Sequence, residues 1–489
     1  MSNDYHIEDH ASIGEAGEIN YKMLVGGHWV SSNDTFEVRS PYDGSLFGKV
    51  PVATTSQVDK AIGAATEAYE NTSRTTGYDR YLVLKKTAEL IQEHSEELAR
   101  TITSENSKVI REARGEVARA VDTFLFGAEE ARRIHGETIP LDAVPAGANR
   151  IAFTQREPIG VIAAISPFNA PLNLVAHKVA PAIASGNTVV LKPASSTPII
   201  SLKLAALMEE AGLQKGALNV VTGSSDVGEQ LVKDSRVVMV SFTGSPEVGR
   251  RIRDVAGFKR FTFELGSNSA VIIDDDSRLD DAVRRCVQGG YAHSGQVCIS
   301  TQRILVQRRI EKQFVEKLAQ EAGKLKVGDP FDETTDISAL ITEKDVTRVL
   351  GWIAEAKRKG AKVVAGGTRE GNIISATVLT DVNPDMKVFS EEVFGPLVGV
   401  TAYDTFDNAI SLVNSSRFGI NAGVYTNDFA KAVKATREIK AGAVLINDVP
   451  SYRVDHMPYG GVRESGMGRE GLKYAIEEMT EMKLIIFKL

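Results

Sequence analysis

The chain holds two cysteines, and only one has neighbours suited to chemistry. Cys298 lies in Ser294-Gly295-Gln296-Val297-Cys298-Ile299-Ser300, a small, polar, glycine-containing stretch that leaves room for a substrate beside the sulfur. Cys286 sits between Val283 and Val287 in a helical pattern, where a thiol packs as a small hydrophobe. A thiolate that attacks a carbonyl needs a base, donors for the developing oxyanion and, for an oxidation, a hydride acceptor. Glu264 ends the β-like run Phe261-Thr262-Phe263-Glu264-Leu265-Gly266, and apolar neighbours would raise its pKa towards that of a working base. Asn169 is flanked by Pro167 and Pro171, whose rings stiffen the backbone and could hold its amide as a fixed donor. Taken singly, each has a plainer reading: an inert thiol, a surface carboxylate, an Asn turn.

Two further segments suit a nucleotide. Phe242-Thr243-Gly244-Ser245-Pro246-Glu247-Val248-Gly249 follows a strand-like run and opens a helix. Pro246 fits the first helical turn, and the amides there could hold a pyrophosphate. It is not a GxGxxG fingerprint, and glycine-containing strand–helix turns are common. Lys192-Pro193-Ala194-Ser195 follows another strand-like run and offers a cation and a hydroxyl to a ribose.

The elements that must position these residues read as alternating strands and helices. At 489 residues the chain exceeds one comfortable core, so two or three domains are expected. Residues 1–18 lack apolar periodicity and are expected to form a mobile tail, and residues 21–50 read as short strands. From 58 to 134 apolar residues recur at helical spacing, among them Leu82, Leu90, Ile91 and Leu98. Strands are predicted over 161–166, 188–191, 218–222 and 237–243, with helices between them. The rhythm restarts with a strand at 270–273, a helix near 279–288 and strands around 304–306 and 363–364. Buried strands joined by crossover helices imply an α/β protein with mostly parallel sheets. The segments 151–157 and 483–489 are strand-like, and an apolar strand at a chain end calls for something to cover it.

Composition excludes several classes. With 43% hydrophobic and 25% charged residues the chain is globular rather than disordered. A net charge of −7 would repel a phosphate backbone, so no nucleic-acid partner is expected. Two cysteines cannot build a disulfide framework, and no metal is called for. The first residues are polar and acidic, unlike a secretory signal, and no apolar run approaches the ~20 residues of a membrane span. A cytoplasmic location without membrane attachment is expected.

Seven segments in order resemble the aldehyde dehydrogenase family from about Tyr21 onward: Pro167-Phe168-Asn169, Lys192-Pro193, Phe242-Thr243-Gly244-Ser245, Phe263-Glu264-Leu265-Gly266, Gly295-Gln296-Val297-Cys298, Glu391-Glu392-Val393-Phe394-Gly395-Pro396 and Pro458-Tyr459-Gly460-Gly461. The resemblance implies Cys298 as nucleophile, Glu264 as general base, and Asn169 with the Cys298 amide as oxyanion hole. Lys178 and Glu470 match positions associated with proton relay. NAD or NADP is implied as cofactor, held by Ser166, Pro167, Phe168, Lys192, Ser195, Phe242, Gly244, Ser245, Leu265, Glu392 and Phe394. The implied fold is a Rossmann-like cofactor domain (19–140 and 159–265), an α/β catalytic domain (266–450) and a small β oligomerisation arm (141–158 and 470–489). The partners are then a small-molecule aldehyde and further copies of the chain, as a dimer or tetramer.

Two departures bear on specificity. The Glu-Leu-Gly motif continues as Ser267-Asn268 where relatives usually carry glycine and often lysine. Ser195 stands where NAD-preferring relatives often carry an acid, which would repel a 2′-phosphate, so use of both cofactors is expected. Arg119, His177, Arg453 and Tyr459 resemble substrate-pocket positions. Arginine's planar donors suit a carboxylate, sulfonate or phosphate, pointing to a small polar or anionic aldehyde such as lactaldehyde, sulfolactaldehyde, phosphonoacetaldehyde or glyceraldehyde 3-phosphate. Ion pairs of the two arginines with Glu116, Asp122 or Asp455 remain open, as do an apolar aldehyde, transfer of the thioester to coenzyme A, and a catalytically silent binding protein.

Overall fold

The computed structural model describes residues 10–14 and 17–489. Of the tail expected at 1–18, residues 1–9 and 15–16 lie outside the described residues. Within the remainder, Ala11–Ile13 is a strand paired antiparallel with Ile19–Tyr21, with Ala11 buried. Backbone pairing at a sheet edge orders a segment too short to show periodicity.

Parallel strands Arg260–Glu264, Val237–Thr243, Val161–Ile165, Thr188–Lys192 and Leu218–Val220 lie side by side in that order. In chain order this is 5-4-1-2-3, a doubly wound sheet whose winding reverses between Val161–Ile165 and Val237–Thr243. Ligands of such sheets bind beyond the carboxyl ends of the strands at that reversal. Those ends run directly into Ser166–Asn169 and Gly244–Ser245. Met23–Val25, His28–Val30 and Gly466–Met467 complete eight strands. The predicted helical region becomes four helices, Thr55–Thr72, Gly77–Glu93, Ser95–Asn106 and Ile110–Ala131. Thr54 with Gln57, and Thr76 with Asp79, close reciprocal caps at the first two.

The second sheet has seven strands, with Ala270–Ile273, Arg303–Gln307 and Leu397–Tyr403 parallel in its middle. Side chains alternate across it. Ile272 and Leu305 enter one core, while Val271, Ile273, Ile304 and Val306 enter the other. Both faces are therefore covered, which is why these strands read as continuous apolar runs.

A third sheet pairs Thr480–Lys488 with Arg150–Pro158 over nine residues. The helix Leu472–Glu478, just before it, instead sends Leu472 and Ile476 into the first core. Among the described residues no helix is long and apolar enough to cross a membrane.

Candidate active site

Cys298 follows the helix Leu279–Tyr291 and a short turn, Ala292–Gly295. His293, Ser294 and Gly295 all have positive φ, at 46°, 55° and 73°. Two non-glycine residues in that region cost on the order of 1–3 kcal/mol each, so the surroundings must hold them. Glu112 accepts the His293 amide at 2.8 Å, Ser294 Oγ donates to the Ser338 carbonyl at 2.9 Å, and Gln296 Oε1 accepts the Ile341 amide at 3.0 Å. A Cβ on Gly295 would stand 2.0 Å from the Gly395 carbonyl, so only glycine fits.

The half-buried Cys298 Sγ lies 3.1 Å from the Tyr459 hydroxyl. Burial pushes the thiol up to about 11, against the pull of Tyr459 and the Arg453 charge, with Glu392 and Glu264 adding to the rise. The resting sulfur is therefore a thiol that needs a base.

Glu264 ends its strand at the carboxyl edge of the first sheet, opposite Thr243. It is buried, and among the described residues neither carboxyl oxygen has a hydrogen-bond partner. Burial first, then repulsion from Glu470, hold its pKa well above the ordinary carboxylate range, with Arg453, Lys178 and Arg469 opposing. An orphaned buried carboxyl is costly unless something else uses it. A Cβ on Gly460 would come within 2.9 Å of Glu264 Oε1, so glycine there keeps the carboxyl's space free.

Asn169 bridges the two domains, its Nδ2 donating to the Gln296 carbonyl at 2.9 Å, two residues before Cys298. One amide hydrogen remains for an oxyanion. The Asn169 carbonyl accepts from Lys108 Nζ at 2.7 Å, and Lys108 forms a buried pair with Glu116. Glu116 in turn accepts the Leu172 and Asn173 amides at 2.9 and 3.2 Å, and Asn106 Nδ2 donates to the Phe168 carbonyl at 3.1 Å. Glu116 thus serves this loop rather than an arginine. Lys108→Met is expected to destabilise the protein by about 3–5 kcal/mol, because it strands a buried charge. A fall in the denaturant midpoint at unchanged slope is the measurement.

His177 and Lys178 lie on the helix Asn173–Ala184, every residue of which is buried. Lys178 Nζ reaches Thr243 Oγ1 at 2.7 Å and Glu470 Oε1 at 3.3 Å. Glu470 is pulled down to about 2 by Lys178 and Arg453, against its burial. Arg453 Nη2 donates to Glu470 Oε2 at 3.0 Å and contacts His177 Nε2 at 3.1 Å. Its guanidinium carbon stands 3.7 Å from the Tyr459 ring centroid, and its Nε is buried with no partner. Arg119 makes a two-point ion pair with Asp455, at 3.0 and 2.7 Å, one of the pairings the sequence left open. Asp455 also takes His177 Nε2 at 2.8 Å. Arg119 is thus engaged internally, while Arg453 retains a free donor beside the tyrosine that touches the thiol.

Of the cofactor candidates, Ser166–Phe168, Lys192 and Gly244–Ser245 stand at or just beyond the ends of neighbouring strands around the reversal of the first sheet, while Glu392 and Phe394 stand on a loop of the second. Lys192, Phe242, Ile165, Val248 and Arg251 line one cavity. Lys192 is buried, its partner among the described residues being the neighbouring Pro193 carbonyl at 3.1 Å, and burial brings its pKa down to about 8. Ser166 Oγ is buried and unpartnered. These orphaned groups beside a helix N-terminus fit a dinucleotide's hydroxyls and phosphates. Ser245 is the N-cap of the helix Pro246–Val255, accepting the Val248 amide at 3.3 Å, and Ser195 Oγ donates to the Gly223 carbonyl at 2.7 Å. Glu392 accepts the Ser267 amide at 2.8 Å, and burial raises it to about 7. A Cβ on Gly266 would lie 2.5 Å from Glu392 Oε2, which explains that glycine. Leu265 is buried in the first core. Phe394, at φ 46°, meets Phe168 edge-on at 5.9 Å. Gln302 holds this loop through the Val393 amide and the Glu391 carbonyl. The Ser267-Asn268 departure adds tethers, since Asn268 bonds the Phe389 carbonyl and Ser416 Oγ.

The sequence profile of the aldehyde dehydrogenase family matches residues 29–485. A 3-sulfolactaldehyde dehydrogenase of Priestia aryabhattai is 50% identical over 470 residues, covering 96% of this chain and 98% of its own. Aldehyde dehydrogenase 21 from Physcomitrella patens, solved with the reaction product succinate, superimposes with a TM-score of 0.94 at 38% identity, covering 96% of this chain and 98% of its own. The glyceraldehyde-3-phosphate dehydrogenase GapN of Methanocaldococcus jannaschii, solved with NADP, does so at 0.90 and 37%, covering 94% of this chain and all of its own.

Proposed function

The chain belongs to the aldehyde dehydrogenase family, and from that premise we propose that it oxidises a small anionic aldehyde, of the sulfolactaldehyde or lactaldehyde kind, to the carboxylate with NAD(P)+ through a thioester on Cys298.

Glu264 accepts the proton of the Cys298 thiol, and the thiolate adds to the aldehyde carbon, forming the C–S bond. The oxyanion meets the free Asn169 amide hydrogen and the Cys298 N–H. Bound NAD(P)+ supplies a hydride acceptor, so the carbon leaves this step as a thioester. Lys192, Ser166, Ser245, Glu392 and Phe394 would hold that cofactor. Once its first proton has left for solvent, Glu264 takes a proton from water as it adds to the thioester, the C–S bond breaks, and Cys298 departs as thiolate. Glu470, held by Lys178 and Arg453, passes the proton on.

The observation carrying the substrate reading is Arg453. Its guanidinium stacks on Tyr459, whose hydroxyl touches the sulfur, and its buried Nε lacks an acceptor. An anion on the aldehyde supplies one. The sulfonate of one relative's substrate and the succinate bound by another are of this class. Arg453→Met is expected to lower kcat for every aldehyde, because Glu470 and the thiol lose the same charge, and to raise KM for sulfonated or carboxylated aldehydes about 10–100-fold beyond any change for an unsubstituted one, the worth of a charged hydrogen bond. Arg453→Lys should recover part of the loss. Equal loss on both substrate classes would contradict the reading.

The paired strands Arg150–Pro158 and Thr480–Lys488 expose Ile151, Leu484, Ile486 and Phe487. Such an apolar face suits association of copies as a dimer or homotetramer, in a cytoplasmic enzyme.

A further inference from the structure

Outside the reactive cluster, an open cavity of about 600 Å³ lies between the start of the helix Gly77–Glu93, the end of the helix Ile110–Ala131 and the strand Arg150–Pro158. Its lining includes Arg80, Arg132, Arg156 and His135 and no acidic residue. Three arginines without a carboxylate among them are unusual on a chain of net charge −7.

The arginines are not spent internally. Arg80 lies over the Gly186 turn, where a Cβ would stand 2.6 Å from its Nη1. Its Nε is buried, and among the described residues its guanidinium has no hydrogen-bond partner. Arg156 uses only Nη1, on the Glu477 carbonyl at 3.2 Å and Thr480 Oγ1 at 3.0 Å. Arg132 stacks over the Tyr81 ring at 4.0 Å and makes one long contact with the exposed Glu129, at 3.3 Å. Of the nearby acids, Asp79 is taken up in the cap with Thr76 and Glu130 pairs with Arg133, while Glu130, Glu137 and Glu477 line an adjoining cavity rather than this one. Gly77 opens a 17-residue helix at this wall, adding the positive end of its dipole. The opposite wall is close because Gly136, whose Cβ would meet the Thr154 carbonyl at 1.8 Å, lets the chain turn tightly onto the strand.

We infer that this cavity is a second anion site, in which Arg80, Arg132 and Arg156 bind a small multiply charged oxyanion such as a phosphate or sulfate group. Arginine's planar donors fit tetrahedral oxyanions, and Tyr78 at the rim offers a ring to any apolar part of such a ligand. The site is independent of the substrate reading above, because none of these residues belongs to the cluster around Cys298.

The test titrates the full-length protein with inorganic phosphate at constant ionic strength, with NADP saturating and Arg453→Met as the background, so that the two anion positions proposed above are blocked or removed. Calorimetry should show one further phosphate site. Arg80→Gln and Arg132→Gln should each weaken it about tenfold or more, with aldehyde turnover in the otherwise unaltered enzyme unchanged. Sedimentation is run on the same samples. Phosphate binding that is absent, or equal in the variants, overturns the inference. So does a variant that dissociates the oligomer, since the arginines then serve acidic groups of a neighbouring copy.

Discussion

Cys298→Ser is expected to lower kcat/KM by about 10⁴-fold or more while NADP binding stays within a few-fold of the parent. The loss is so large because the whole covalent route depends on that sulfur, and a serine hydroxyl is a far poorer nucleophile with no base strong enough to ionise it. Binding survives because the cofactor candidates, Lys192, Phe242 and Ser245, stand on the first sheet and its following helices, whereas Cys298 is carried by the second domain. Steady-state rates and a fluorescence titration with NADP separate the two. Cys286→Ser should leave turnover intact, since that thiol is fully buried in the second domain's core.

Glu264→Gln is expected to reduce kcat by about 10²–10⁴-fold, the usual worth of a general base, and to do so chiefly at thioester hydrolysis. Acylation is slowed but persists, because the substitution also removes a carboxylate that raises the Cys298 thiol and hydroxide can take the thiol proton, so at about pH 9 the first turnover should release close to one reduced cofactor per subunit before a far slower steady state. The sign of the pH dependence follows from the same group. Burial and Glu470 raise the Glu264 pKa, and burial raises the Cys298 thiol to about 11. Both groups work deprotonated, so kcat/KM of the parent should climb as pH rises from roughly 7 to 9. In Glu264→Gln the hydrolytic step should lose the part of that climb that belongs to the carboxyl.

The motifs of the first sheet were readable because each sits where a parallel strand delivers it. Pro167-Phe168-Asn169 and Gly244-Ser245 lie at the carboxyl ends of neighbouring strands, so local spacing already carries their place in the sheet. The supporting groups were not readable in this way. Lys108 reaches Asn169 across 61 residues, and Asp455 meets Arg119 across 336. No local pattern encodes such contacts. A lysine followed eight residues later by a glutamate, as Lys108 and Glu116 are, resembles any solvated helix face until burial is known. Gly466–Met467 joins the first sheet beside Glu264, yet two residues are too few to show a strand period. Arg119 illustrates the opposite difficulty: its charge was visible, but its engagement by Asp455 depends on the fold.

The electrostatic design also explains why Arg453 and Glu470 stand together. Glu470 neutralises Lys178 and part of Arg453, and its charge, after burial, helps raise the Glu264 pKa and so its strength as a base. Two carboxyls with pKa values driven apart suit one base that titrates and one partner that is ionised between turnovers and holds a proton only in passing.

The most direct measurement is mass spectrometry of Glu264→Gln, quenched in acid after mixing with aldehyde and NADP and then digested. The account predicts one acyl group per subunit, carried on the peptide containing Cys298 and appearing with the burst of NADPH. Formation of NADPH and acid with no such adduct, or with the acyl group on any other residue, would contradict it.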